Sequence, residues 1–109
     1  MKIAVSSKGA GLGAWIHPDF LTCNFIVVVD ESRDFLVIKN QTNRQNESDE
    51  ITLAKELIDK EIGYLITGNI SKTIVDFLKS NGLTVYVANE GSILELIEQA
   101  EQGSLPLFI

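Results

Sequence analysis

Tyr64-Leu65-Ile66-Thr67-Gly68-Asn69-Ile70-Ser71 is an apolar run that breaks at a glycine-bearing turn and ends on a hydroxyl. The run reads as a buried strand. Ser71 is placed to cap a helix whose apolar residues Ile74, Phe77 and Leu78 recur at helical spacing until Asn81-Gly82 stops it. Leu83 to Ala88 then reads as the next strand, Asn89-Glu90-Gly91 as a turn, and Ser92 to Gln102 as a helix with Ser92 and Glu95 at capping-box spacing. Strands joined through helices in this way lie parallel, which makes the chain α/β.

Upstream, Ile51, Ala54, Leu57 and Ile58 recur with Lys55, Glu56, Asp59 and Lys60 between them, predicting an amphipathic helix with Ser48 as its N-cap and Gly63 at its end. Asn40 to Asp49 is polar without apolar periodicity, so it reads as an exposed, mobile connection. Cys23 to Val29 and Phe35 to Ile38 are apolar runs on either side of Asp30-Glu31-Ser32-Arg33-Asp34, a hairpin pattern. Ile3-Ala4-Val5 is the first strand, entering the loop Ser6-Ser7-Lys8-Gly9. The order is therefore βββαβαβα, a three-layer sandwich on a mixed five-stranded sheet. In such sheets ligands gather beyond the carboxyl ends of the parallel strands, which points to Ser6 to Gly13, Gly68 to Ser71 and Asn89 to Ser92.

The 109 residues, 45% hydrophobic and 22% charged, suit one domain spanning 1–109. Folding at this mass hides about 65% of the unfolded surface, enough for a core without staples, and a single cysteine makes no internal disulfide. Fifteen acidic against nine basic residues give a net charge of -6, which disfavours nucleic acid and anionic membranes as partners. Phe25 to Val29, the longest apolar run, is far short of the ~20 residues of a spanning helix. Met1-Lys2-Ile3-Ala4-Val5 turns polar at once, unlike a secretory signal, so the expected compartment is the cytoplasm.

Gly9-Ala10-Gly11-Leu12-Gly13 follows a strand, but Ala14-Trp15-Ile16-His17-Pro18 comes next and supplies no helix to receive a pyrophosphate, so a flexible glycine loop is the simpler reading. His17 and Cys23 are the only histidine and cysteine, and both fall between the first two strands. As a pair they are candidate soft metal ligands; taken singly, Cys23 reads as a small buried residue and His17 as a loop imidazole. No CxxC or HxxxH spacing completes a zinc centre. Nothing sets His17 beside a carboxylate for nucleophilic catalysis, and the first strand carries no acidic residue for two-metal hydrolysis. Asp30 and Asp34 suit the hairpin turn, and Glu47, Asp49 and Glu50 suit a helix N-terminus. Trp15 reads as packed against a sheet edge, or else as a lid or partner contact.

The element order, together with Met1-Lys2-Ile3-Ala4-Val5-Ser6, Phe20 followed ten positions later by Asp30, Gly68-Asn69-Ile70, Gly82-Leu83-Thr84-Val85-Tyr86, and Gly91-Ser92-Ile93 with a helix and Gly103, resembles the dinitrogenase iron-molybdenum cofactor biosynthesis family. The likeness covers nearly the whole chain and implies a ribonuclease H-like fold. It implies binding without catalysis of an iron-molybdenum or iron-sulfur type cluster, and the topology adds the expectation of a pocket shared by the turns after the first and fourth strands. Ser7, Gly9, Gly11, Gly68, Asn69 and Ser71 would line that pocket, with Cys23 and His17 as metal ligands. Family members commonly carry His-Phe-Gly-Arg where this chain has Asp19-Phe20-Leu21-Thr22, and small residues and glycine where it has Asn46-Glu47-Ser48-Asp49-Glu50. The competing expectation is a scaffold that binds no cluster and engages a partner protein, through Trp15 and the apolar end Leu105-Pro106-Leu107-Phe108-Ile109. That end has three fates open to it: docking on its own domain, joining two copies into a homodimer, or meeting a partner.

Overall fold

The computed structural model describes residues 2–40 and 47–108. Within them the elements are β1 (Lys2–Ser7), β2 (Phe25–Val29), β3 (Phe35–Lys39), α1 (Glu47–Asp59), β4 (Ile62–Thr67), α2 (Lys72–Ser80), β5 (Thr84–Val87) and α3 (Ile93–Glu101). The strands form one sheet in the order β3-β2-β1-β4-β5. β2 is antiparallel to both of its neighbours, while β1, β4 and β5 run parallel. This is the expected βββαβαβα sandwich, in the ribonuclease H-like arrangement.

Side-chain alternation divides the core into two layers. Ile26 and Val28 of β2 and Ala4 of β1 pack with Leu53, Ala54 and Leu57 of α1 and Ile74, Val75 and Leu78 of α2. Val27, Val29, Ile3 and Val5 point the other way, to Ile93, Leu96, Ile97 and Ala100 of α3. Burial on both faces is why the central strands read as unbroken apolar runs, and each such side chain contributes about 1.5–3 kcal/mol. The hairpin turn is tied by Asp30, whose Oδ1 accepts from Ser32 N at 2.9 Å and Asp34 N at 3.1 Å, with Arg33 at φ 67.

Three local expectations are corrected. Gly63 does not end α1. The helix stops at Asp59, Glu61 takes the left-handed turn at φ 59, and Gly63 lies inside β4, because Ile62 must already pair beside β1. Ser48 is within α1, which starts at Glu47, so it is not the N-cap; the preceding residues of the connection lie outside the described ones. Asn40 is buried rather than part of an exposed connection.

The C-terminal segment docks on its own domain. Val87 N donates to Pro106 O at 2.8 Å and Phe108 N to Val85 O at 2.9 Å, so the segment runs antiparallel along the outer edge of β5. Phe108 packs on the α1–α2 layer, and Lys79 Nζ donates to its carbonyl at 3.1 Å. An edge that would otherwise offer unpaired backbone groups is thereby covered.

Candidate functional site

The ladder between β1 and β4 ends at Val5 and Ile66, and both strands run on to the same rim. The segment Ile16 to Phe20 closes that rim. His17 N donates to Ser6 O at 2.9 Å, and Ser6 Oγ donates to His17 O at 2.7 Å. On the β4 side, Asn69 N donates to Pro18 O at 2.6 Å and Phe20 N to Asn69 O at 3.0 Å. Bridges Ser7–Ile16 and Asp19–Asn69 complete the stitching, and Ile16 and Phe20 are fully buried. The two glycine-bearing turns do lie on one rim, but chain fills the space between them, correcting the expectation of a shared pocket. Open cavities of about 390 and 450 Å³ lie elsewhere, against Tyr64 and Tyr86 and against Leu107 and Phe108.

Gly68 is glycine for packing. A Cβ there would sit 2.7 Å from Pro18 O and 2.9 Å from Ala88 O, and would also strike the Asn89 side chain. Gly11 and Gly13 meet nothing within 4 Å, so this part of the first loop is open. Ser7 is buried, and its Oγ donates to Gly9 O at 2.6 Å while accepting from Gly9 N at 3.2 Å, folding the loop on itself. Asn69 is engaged through its backbone. Ser71 caps α2 as the sequence predicts, its Oγ accepting from Ile74 N at 3.4 Å and donating to Glu50 Oε1 at 2.6 Å. The buried Glu50 thus already places a carboxylate at the N-terminal end of α2.

The N-terminus of α3 is satisfied within the fold. Ile93 N donates to Ala14 O at 2.9 Å, Leu94 N to Leu12 O at 3.3 Å and Glu95 N to Ser92 Oγ at 3.3 Å. The glycine loop is therefore a lid on that helix end, and Ile16 N adds a bond to Gly91 O at 2.9 Å. Trp15 rides on this lid 49% exposed, so its side chain is not packed away against a sheet edge.

His17 and Cys23 occupy different surroundings. The His17 ring is half-buried on the rim, and its Nδ1 accepts from Asp19 N at 3.1 Å. That bond assigns the proton of the neutral ring to Nε2, which has no partner among the described residues. Cys23 is 2% exposed in the α1–α2 layer, and its Sγ donates to Phe20 O at 3.2 Å. Burial pushes the thiol up to about 12. Among the described residues no group of three or more His, Cys, Asp or Glu converges as a metal site.

The family model for the dinitrogenase iron-molybdenum cofactor matches residues 1–103. The chain belongs to this family. No curated protein matches the sequence. Among solved structures, the apo form of the orange protein from Desulfovibrio gigas is 24% identical, covering 98% of this chain and 92% of that one at a TM-score of 0.89. A NifB-like protein from Thermotoga is also 24% identical, covering 97% and 91% at a TM-score of 0.79. A dinitrogenase-like protein from Methanocaldococcus jannaschii is 20% identical, covering 99% and 94% at 0.73. At these identities the likeness establishes the fold.

In this member of the dinitrogenase iron-molybdenum cofactor family, local turn chemistry holds the chain just beyond the rim closure. Asp19 Oδ1 accepts from Leu21 N at 3.3 Å and Oδ2 from Thr22 Oγ1 at 2.8 Å, so Asp19 to Thr22 cap their own turn. Sequence reasoning placed Ser6 in a candidate segment but missed its pairing with Thr67, whose hydroxyl it meets at 2.9 Å, both fully buried, where the β1–β4 ladder ends. A hydroxyl closing each apolar run was the available signal. It also missed Asn40, whose Nδ2 donates to Leu21 O at 2.9 Å and Cys23 O at 2.8 Å, holding the turn before β2.

Proposed function

We propose that this family member is a non-enzymatic binding or carrier protein whose cargo is an iron-molybdenum or related metal-sulfur cluster. In this reading the cargo lies against the outside of the rim, over the Ser7 to Gly13 loop, His17 and the Gly68 to Ser71 turn. The observation that carries it is His17: a half-buried imidazole at the switch between β1 and β4, with Nδ1 fixed by Asp19 N–H and Nε2–H without a partner among the described residues. An N–H group offers a hydrogen bond to the sulfur or oxygen atoms of an anionic cluster rather than a lone pair to a metal. The exposed Lys8 adds positive charge on the same loop, and the open Gly11 and Gly13 leave backbone accessible. Cys23 supports the fold in this reading, because a buried thiol held this far from ionisation is a poor ligand. With Nδ1 taken by a backbone amide rather than a hydroxyl, the imidazole is not set up to activate a nucleophile.

Anaerobic mixing with iron, sulfide and molybdate tests this. A chromophore that survives desalting, weakens in His17→Ala and persists in Cys23→Ala is expected. A colourless, metal-free protein overturns the carrier reading; a chromophore lost in a folded Cys23→Ala overturns the mode of holding. One observation favours the partner-protein alternative: Trp15 is half exposed on backbone fixed by Lys8 N to Trp15 O at 3.0 Å.

A further inference from the structure

A single helix, α3, covers one face of a five-stranded sheet, and it leaves a strip of β4 and β5 beside it incompletely covered. Tyr64 and Tyr86 stand on that strip, one strand apart and diagonal in register, with ring centroids 5.7 Å apart and planes inclined by 30°. They form one wall of a cavity of about 390 Å³ that Ile3 floors and the last turn of α3 closes with Ala100 and Glu101. Glu31, from the β2–β3 turn, stands at its mouth. Ile3 and Tyr64 belong to the starts of β1 and β4, so this cavity is at the other end of the strands from the rim that carries His17.

Negative potential prevails around the cavity, with Arg33 as an opposing charge. The C-terminal end of a helix carries partial negative charge, and α3 has no basic residue in its last turn to offset it. Glu98 and Glu101 are on that helix, and the chain carries a net charge of -6. Two tyrosine faces add the negative side of their quadrupoles. Arg33 answers part of this by engaging both Glu101 oxygens, at 2.7 and 3.1 Å, from the exposed side. Among the described residues neither tyrosine hydroxyl has a hydrogen-bond partner. The cavity volume lies within the range of small-molecule sites.

We propose that the cleft between the Tyr64–Tyr86 pair and the end of α3 binds a small organic cation, an ammonium group with a compact apolar head. The methyl groups on the charged nitrogen lie against Ile3, Ala100 and the two rings, and the negative potential of the cleft sets the preference of cation over neutral molecule. The site is independent of the cargo reading, and its failure would leave that reading untouched.

Tyr64 and Tyr86 are the only tyrosines in the chain, so their ring NMR signals read the cleft directly, with the Trp15 indole as an internal control. Choline chloride, titrated against matched sodium chloride, is expected to shift both tyrosine signals saturably while the indole stays still. Dimethylbutanol, the uncharged carbon isostere, is expected to bind about tenfold more weakly. Tyr64→Leu or Tyr86→Leu is expected to weaken choline by a similar factor, Tyr86→Phe to retain it, and Arg33→Gln to strengthen it by freeing Glu101. If a leucine variant fails to fold, the isostere comparison and Arg33→Gln decide. Equal binding of choline and its isostere, no saturable shift, or weaker binding in Arg33→Gln overturns the proposal.

Discussion

Asn40 shows how much one side chain holds in this molecule. It is 5% exposed, bonds two carbonyls of the turn leading into β2, and takes its backbone bond from Asn40 N to Asn24 O at 3.1 Å. Its Oδ1 is buried with no hydrogen-bond partner among the described residues. Asn40→Asp would set a carboxylate against carbonyls of Leu21 and Cys23, and it is expected to cost about 2–4 kcal/mol at neutral pH. Protonation in the folded state is favoured there, so the carboxyl titrates above its unfolded value of about 3.9. The deficit is therefore smallest in acid and grows as pH rises through the folded value. Urea unfolding of both proteins near pH 3 and pH 7 measures it, and an equal deficit at both would refute the assignment. Nothing local marks Asn40 as buried, because it opens a polar run and its partners stand 17 and 19 positions away across the hairpin.

Periodic elements were legible because their signals are local. Ser71 and Ser92 cap where their spacing predicts, and the alternation within Phe25 to Val29 sorts those residues into the two core layers. Gly63 misled because glycine is the usual left-handed residue, whereas here register with β1 required a strand at that position and Glu61 took the turn. The rim closure was illegible for another reason: Ile16 to Phe20 has no period, and its conformation comes from partners on β1 and after β4. The C-terminal segment is an element whose docking the residues alone left open. Deleting residues 105–109 uncovers the β5 edge and removes the Phe108 contact, with an expected loss of about 2–3 kcal/mol. Size-exclusion chromatography should show increased self-association through the uncovered edge. Unchanged stability on truncation would mean that the segment does not dock in solution.

At the scale of the whole molecule, Cys23 ties stability to alkaline pH. A folded thiol raised to about 12 contributes stability that is complete below its unfolded value of about 9 and is lost as pH rises from there towards 12. Unfolding free energy should therefore fall above about pH 9, with a contribution from this thiol of up to about 1.4 kcal/mol per pH unit. Comparing the slope with Cys23→Ala isolates that contribution, and identical slopes would count against burial as the cause. The rim closure has a global consequence of its own. Its backbone bonds are the same ones that finish the sheet, so whatever grips it in the native state and not in the unfolded chain must, by mass action, also brace the entire domain. At free concentrations about a hundredfold over its dissociation constant, such a guest would add about 2.7 kcal/mol, and the melting temperature would report its arrival and departure.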